Sequence, residues 1–258
     1  MMPLTRRAFC GLAAAVPAAF AQVNTVTIAA TSSLRFVLFD VIRDYQQKTG
    51  NFVHVTYGAS GALFNQLKQG APYELFLPAD DEYALKLADA GLSQDRGTVY
   101  GVGRIVLYVP SGSKIRPDED MKDLAVAARD GRLKQLAIAN PQQSPYGRAA
   151  VKAMKALGVW PALENKLVLA EHSSQAAQYA LSGSAHAGIV AYSLALAPTM
   201  TRGGTHVLIP ERLHAPLRQR MVLTKKAGAA AKDFCNYLQS ADARAVLQRY
   251  GMSLPPGK

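Results

Sequence analysis

Hydroxyl-bearing residues recur in this chain where a buried strand gives way to a helix. The stretch 26–45 opens with a short apolar strand, breaks at Thr31, Ser32 and Ser33, and continues with apolar residues at three- and four-residue spacing. The first turn of a helix has free backbone N–H groups and a partial positive charge. Such a turn holds an anion with hydroxyl and amide donors alone, although Ser33 taken by itself also fits a simple helix cap.

Three further segments repeat this design. Ser60 lies in a Gly-Ala-Ser-Gly turn, Tyr146 in a Ser-Pro-Tyr-Gly turn and Ser173 in a His-Ser-Ser turn, each between a short apolar strand and a helical period. Strands that alternate with helices form parallel sheets, whose ligand sites lie beyond the carboxyl ends of the strands. We therefore expect the four turns to meet in one cleft.

Two apolar strands, 104–110 and 219–224, have no helix directly after them and lie far apart in the chain. We interpret them as crossings between two lobes. The predicted division assigns residues 22–103 together with 220–258 to the first lobe and residues 104–219 to the second. The predicted fold class is α/β, with two lobes that are each a mostly parallel sheet flanked by helices, joined by two hinge crossings.

Residues 1–21 have the pattern of an export signal. Arg6 and Arg7 are followed by an apolar run that is too short to span a bilayer, and a small-x-small cleavage site ends at Ala21. The paired arginines favour the twin-arginine route, and a general secretory signal stays open. We expect cleavage after Ala21 and a periplasmic protein.

The composition narrows the classes of partner. The formal net charge of +11 raises the local concentration of anions. The Lys and Arg residues are scattered without aromatic interleaving, which argues against a nucleic-acid-binding protein. Beyond the signal segment Cys235 is the one cysteine, so we expect no disulfide framework.

No pattern in the chain favours an enzyme or a metal site. The Ser60 turn is not a Gly-x-Ser-x-Gly nucleophile elbow, and the five histidines show neither HExxH nor paired spacing. Asp80 and Asp81 are interpreted as helix caps rather than metal ligands. Arg35 is the one arginine identified near a candidate turn, and its spacing places it toward solvent. We predict no catalytic residue, no direct metal ligand and no cofactor.

Several segments resemble the molybdate-binding proteins of ABC importers, the ModA type, in their order and spacing. The matching stretches are AATSSL, YGASGAL, LPAD, NPQQSPYGRAAVKAMKALGVW and AGIVAYS, of which the run 140–160 is the most specific. The resemblance implies a type II periplasmic binding protein that closes over a tetrahedral oxyanion and delivers it to a membrane permease. We expect a monomer that takes molybdate, and tungstate as well.

The resemblance also implies roles for particular residues in the first lobe. Thr31 and Ser32 look like the first contact group of the family, with Ser33 as a substitute. Ser60 is similar to the family's second hydroxyl donor.

In the second lobe the resemblance implies backbone donors. Tyr146 matches a position that donates its backbone N–H, and Ser173 aligns with a backbone donor that is usually aliphatic. Some members use a tyrosine hydroxyl from a strand-end Gly-Ile-Val-Tyr motif, where this chain has Ala191. Tyr192 is displaced by one residue, which would send its side chain to the opposite face of a strand.

The chemistry of the donors bears on the solute. Neutral donors favour a fully deprotonated dianion, whereas hydrogen phosphate needs an acceptor, and Glu171 is the one carboxylate identified beside a candidate turn. Molybdate and sulfate differ in size, so the choice between them depends on the cavity. A binding protein for sulfate or a small organic anion, and a dehydratase-type enzyme on the same fold, stay open as alternatives.

Overall fold

Short apolar strands and amphipathic helices alternate along the chain and build two five-stranded sheets. The structure is a computed structural model that describes residues 24–255, and the predicted export signal, residues 1–21, lies outside the described residues. The strands are β1 (Thr25–Thr31), β2 (Phe52–Gly58), β3 (Leu75–Leu77), β4 (Thr98–Gly103), β5 (Ile105–Pro110), β6 (Leu136–Ala139), β7 (Leu167–Ala170), β8 (Ala187–Ala191), β9 (Gly204–Leu208) and β10 (Leu217–Leu223).

The helices lie on both faces of each sheet. They are α1 (Arg35–Thr49), α2 (Ser60–Lys68), α3 (Asp81–Asp89), α4 (Lys122–Asp130), α5 (Pro145–Ala156), α6 (Trp160–Leu163), α7 (Ser173–Leu181), α8 (Tyr192–Ala195), α9 (Pro198–Gly203), α10 (Ala229–Tyr237) and α11 (Ala241–Arg249). Short 3₁₀ turns occupy Ser32–Leu34, Glu164–Lys166 and Glu211–Leu213.

The two sheets have the same plan. Their strand orders are β2-β1-β3-β10-β4 and β7-β6-β8-β5-β9. In each sheet the first three strands pair in parallel and the last two pair antiparallel. The predicted α/β class with two lobes is confirmed, but the sheets are mixed rather than mostly parallel. The reason is that strands reached directly from the other lobe have no crossover helix to restore the parallel direction.

The chain passes between the sheets at two places. It leaves the first sheet after Gly103 and enters the second at Ile105, with Arg104 alone between them. It returns to the first sheet where β10 begins at Leu217, slightly before residue 220. The residues at which the lobes divide stay a prediction.

Alternation along the strands sends side chains into separate cores. In β1, Val26, Ile28 and Ala30 join the core beneath α1, α10 and α11, while Ala29 joins the core beneath α2 and α3. The second sheet is buried within one larger core that includes Leu107, Ile138 and Val190 among its members. Within residues 24–255, no helix combines the length and apolar character that a bilayer crossing requires.

Candidate functional site

The first candidate turn joins β1 to α1 through the 3₁₀ turn Ser32–Leu34. Thr31, Ser32 and Ser33 are all buried, and Thr31 Oγ1 lies 3.3 Å from Ser33 Oγ. Neither the 3₁₀ turn nor α1 has a side-chain capping bond at its N-cap residue. A capping role therefore does not account for the Ser33 hydroxyl. Its hydrogen-bond partners are the side chains of Thr31 and Tyr146.

The second turn begins α2 at Ser60, which is buried. The Ser60 Oγ accepts a hydrogen bond of 2.9 Å from the Ala79 N–H of the same lobe. The Gly61 N–H donates to the Gln143 carbonyl of the second lobe at 2.9 Å. A Cβ on Gly61 would lie 3.2 Å from Gln143 Cα and 2.7 Å from the Tyr83 hydroxyl. Glycine is thus needed for the close approach of the two lobes here.

The third turn begins α5, with Pro145 in its first turn and Tyr146 next to it. Tyr146 is buried, and its hydroxyl accepts a 2.9 Å hydrogen bond from Gln219 Nε2. Gln219 lies in β10 of the first sheet, and its Oε1 accepts a 2.9 Å bond from the Tyr100 hydroxyl. The resemblance implied only a backbone role for Tyr146, and this side-chain network was not predicted. The signal was available, because Gln219 is a polar residue at an inward position of an apolar strand.

The fourth turn begins α7 at Ser173, which is buried. The Ser173 Oγ is fully enclosed and has no hydrogen-bond partner. A buried polar atom without a partner costs free energy and is uncommon in native proteins. The next residue, Ser174, donates its backbone N–H to Ser32 Oγ of the first lobe at 3.1 Å. The first and fourth turns therefore face each other directly across the lobes.

His172 precedes this turn and has a structural role. Its Nδ1 accepts a 3.2 Å hydrogen bond from the Gln175 N–H, which makes His172 the N-cap of α7. Its Nδ1 also lies 3.2 Å from Ser174 Oγ. Capping, rather than general base chemistry, accounts for this histidine.

Ser193 is a further residue at the junction, and it was not predicted from the sequence. It is buried in α8, and its hydroxyl donates to the Ser33 carbonyl of the first lobe at 2.7 Å. It follows the end of β8 in the same strand–hydroxyl–helix arrangement as the four turns, which was the available signal. Tyr192 begins α8 instead of continuing the strand. Alternation along a strand therefore does not set the direction of its side chain, and the argument from strand alternation was wrong. Its ring packs against His206, with ring centroids 5.4 Å apart.

The structure brings the predicted residues together at one buried interlobe junction. We use that name for a set of eight residues: Thr31, Ser32, Ser33, Ser60, Tyr146, Ser173, Ser193 and Gln219. Hydrogen bonds between the lobes are made by four members of this set with one another, Ser33 with Ser193 and Tyr146 with Gln219, and by Ser32 with the backbone of Ser174. Contact between these residues and a ligand stays a prediction.

The junction is electrically neutral. Within residues 24–255 the buried polar residues are Ser, Thr, His and Gln, with no Asp, Glu, Lys or Arg among them. In the same range, no group of three or more His, Cys, Asp or Glu is arranged to hold a metal ion. What the junction offers a ligand is hydroxyl groups and the N–H groups of helix starts, of which those of Gly61 and Ser174 make bonds between the lobes.

Two arginines lie near these turns, of which only Arg35 was predicted. Arg35 is exposed and lines a cavity of about 470 Å³ beside the junction, together with Phe36 and His172. Arg148 lies in the first turn of α5 and forms ion pairs with Asp80 and Glu82 of the first lobe. Neither side chain is among the buried residues.

Tyr146 supplies a test of the junction that needs no ligand. Burial raises the pKa of Tyr146 to about 12, although the side chains of Ser33, Gln219 and Ser193 act in the opposite direction. A tyrosine in an unfolded chain ionises near pH 10. Between about pH 10 and about pH 12 the folded protein therefore keeps a proton that the unfolded chain has released, so this group's contribution to stability falls as pH rises.

We expect Tyr146→Phe to reduce by one tyrosine the tyrosinate absorbance change near pH 12, where burial also places the pKa of Tyr57. The variant leaves Gln219 Nε2 without its partner in a buried site, and we expect a loss of about 1–3 kcal/mol in unfolding free energy. Absorbance titration and urea unfolding measure the two effects. If the unaltered protein and Tyr146→Phe instead differ in absorbance near pH 10, the Tyr146 hydroxyl is hydrated. That result would contradict its burial in the junction.

A family model described as bacterial extracellular solute-binding protein matches residues 26–253 of the chain. The chain is 37% identical to the molybdate-binding protein ModA of Rhodobacter capsulatus over 210 residues, which cover 80% of this chain and 79% of that protein. It is 32% identical to ModA of Azotobacter vinelandii over 96% of this chain and 97% of that protein. The solved periplasmic molybdate-binding protein of Azotobacter vinelandii superposes with a TM-score of 0.80 at 26% identity, covering 90% of this chain and all of that structure.

Proposed function

Because this chain belongs to the bacterial extracellular solute-binding proteins, and among them to the ModA type, we propose that it captures molybdate outside the cytoplasm. The observation that carries the proposal is the neutral interlobe junction, where hydroxyl-bearing turns of both lobes are joined by hydrogen bonds and the buried Ser173 hydroxyl has no partner among the described residues. Tungstate has nearly the same shape and charge, and it is expected to bind as well. The captured ion is then delivered to an ABC permease in the membrane.

The energetics of the junction suit a bare dianion. Removing a dianion from water is costly unless its oxygens find donors. Each hydrogen bond to a charged group contributes roughly 1.5–3 kcal/mol, and each helix start adds roughly 0.3–1 kcal/mol. Donors from several helix starts together support binding below about 1 μM after the costs of association are met.

The same chemistry disfavours phosphate. Hydrogen phosphate carries a proton that needs an acceptor, and the acceptor considered in the sequence was Glu171. Glu171 is exposed in the structure, outside the buried junction. Sulfate has no such proton and differs from molybdate chiefly in size.

The chain is a solute-binding protein and not an enzyme, in keeping with the relatives named above. We also propose a monomer that enters the periplasm by the twin-arginine route, with its signal cleaved after Ala21. The export route and the cleavage site depend on the arginine pair and the small residues of the first 21 positions, whereas the monomeric state follows from the resemblance to the ModA type.

A panel of oxyanions tests the function by thermal unfolding. At 100 times its Kd, a ligand that binds only the folded state adds about 2.7 kcal/mol, which corresponds to a rise in Tm of about 5–10 °C for a protein of this size. We expect this rise with molybdate and tungstate at about 100 μM, and much smaller changes with sulfate, phosphate and citrate. A response to sulfate alone would identify a sulfate-binding protein, and a response to citrate alone would favour an organic solute.

A further inference from the structure

Arg148 extends from α5 of the second lobe to α3 of the first. Its Nη2 lies 2.5 Å from Asp80 Oδ2 and 3.1 Å from Glu82 Oε2. Its guanidinium carbon lies 5.4 Å from the centroid of the Tyr83 ring. Asp80 retains 14% of its side-chain exposure and Arg148 retains 31%. We call the contact between Arg148, Asp80 and Glu82 the interlobe ion pair.

The interlobe ion pair is continuous with the junction. Tyr83, beneath the Arg148 guanidinium, places its hydroxyl against Gly61. Gly61 in turn donates to Gln143 across the lobes at 2.9 Å. The ion pair and this backbone bond therefore hold the start of α2 against the turn that leads into α5, and these are the turns that carry Ser60 and Tyr146.

We propose that Arg148 is a positioning residue that favours the closed form of the protein, by compensating a carboxylate that lobe closure buries. The inference rests on the proposed function, since closure is taken to surround the captured anion. Arg148 acts on the anion site through Asp80 and α3, and touches none of the proposed ligand contacts.

The surroundings of Asp80 explain why one arginine can bias closure. Asp80 is the N-cap of α3, where its Oδ1 accepts a 3.3 Å hydrogen bond from the Tyr83 N–H. Burial is the main cause of the raised pKa of the Asp80 carboxyl, and Arg148 acts against it. A buried carboxylate that loses its cation is strongly destabilising, whereas replacing both charges by neutral groups is often harmless. When the lobes separate, water reaches Asp80 and the need for a cation falls.

The central test is the affinity of Arg148→Gln for molybdate, measured by calorimetry at low and at moderate salt. Without its cation Asp80 opposes closure, and the apparent Kd rises in proportion to the lost closed fraction. We expect an increase of about tenfold or more, mostly through faster dissociation. Lys152→Gln is the matched control, because it removes one positive charge from an exposed position on the same helix, and its Kd should match that of the unaltered protein.

A double variant separates charge compensation from a general loss of packing. Asp80→Asn keeps a side-chain oxygen that caps α3 and removes the buried charge. We expect Asp80→Asn combined with Arg148→Gln to recover most of the affinity that Arg148→Gln loses. Equal Kd values for Arg148→Gln and Lys152→Gln, or a double variant no better than Arg148→Gln, would each overturn the proposal.

A readout without ligand keeps this proposal separate from the proposed function. Small-angle scattering of the anion-free proteins reports how far the lobes are apart. Arg148→Gln should have a larger radius of gyration than the Lys152→Gln control, and the double variant should return to the control value. If the unaltered protein fails to bind molybdate, the proposed function falls while this comparison still decides the role of Arg148. Identical radii in the three variants would overturn that role.

Discussion

Gly147→Ala should cost the protein about 2–4 kcal/mol of unfolding free energy and most of its affinity for molybdate. A Cβ on Gly147 would lie 2.0 Å from the carbonyl oxygen of Ala139 and 2.9 Å from the Pro141 nitrogen. These are backbone atoms, which cannot rotate away as a flexible side chain would. The first turn of α5 must therefore move off the end of β6, and it would carry Tyr146 and Arg148 out of place.

Urea unfolding and calorimetry with molybdate measure the two losses. The expected fall in Tm is about 5–15 °C for a protein of this size. Gly228→Ala is the matched control, because the nearest atom to its Cβ would be Glu74 Oε1 at an ordinary 3.5 Å. Gly228 is the N-cap of α10 in the first lobe, where alanine is a poorer cap than glycine and costs about 1 kcal/mol, less than the loss expected for Gly147→Ala. A Gly147→Ala protein as stable as the Gly228→Ala control would mean that α5 does not press against β6.

Ser173→Asp should weaken molybdate binding about a thousandfold near pH 7. The helix dipole favours a carboxylate at the start of α7 and offsets part of the cost of a charge at this buried position, and urea unfolding measures the stability that is lost. Against a dianion about 5 Å away the carboxylate is repelled by about 6–7 kcal/mol at an effective dielectric constant of 20. Protonating the new carboxyl at pH 7 costs only about 4 kcal/mol, and this smaller cost sets the size of the loss.

The pH dependence distinguishes charge repulsion from a simple steric clash. If binding takes up one proton at the introduced carboxyl, the Kd of Ser173→Asp should fall about tenfold for each unit between pH 7 and pH 6. Ser240→Asp makes the same charge change at the N-cap of α11, away from the junction. Its Kd for molybdate should equal that of the unaltered protein at pH 7 and at pH 6. A Kd for Ser173→Asp that is equally weak at both values would indicate a clash, and an unchanged Kd would remove Ser173 from the site.

Local patterns were enough to predict the elements that carry the site. Each candidate turn follows a short apolar strand and precedes a helical period, so Thr31, Ser60 and Ser173 were predicted at the ends of elements where the structure places them. Asp80 was predicted as a cap and is the N-cap of α3. These features depend on residues close in sequence, which is why a single sequence contains them.

The contacts between lobes could not be derived in the same way. The bond from Gln219 to Tyr146 and the bond from Ser193 to Ser33 join residues far apart in the chain. Whether these side chains meet depends on the angle between two separately folded lobes, which no local period encodes. Arg148 was overlooked for the same reason, since its partner Asp80 belongs to the other lobe.

The position of β10 between β3 and β4 constrains the order in which a growing chain can fold. Strand β4 pairs with β10, and its Val102 bridges Ser253 near the end of the chain. The strands of the second sheet, by contrast, all lie between Ile105 and Leu208. As the ribosome extends the chain, all strands of the second lobe are synthesised before β10, the strand that pairs with β4. A nascent chain that stops short of Leu217 therefore holds a complete second sheet beside an unfinished first one, and it cannot form the bond between Gln219 and Tyr146.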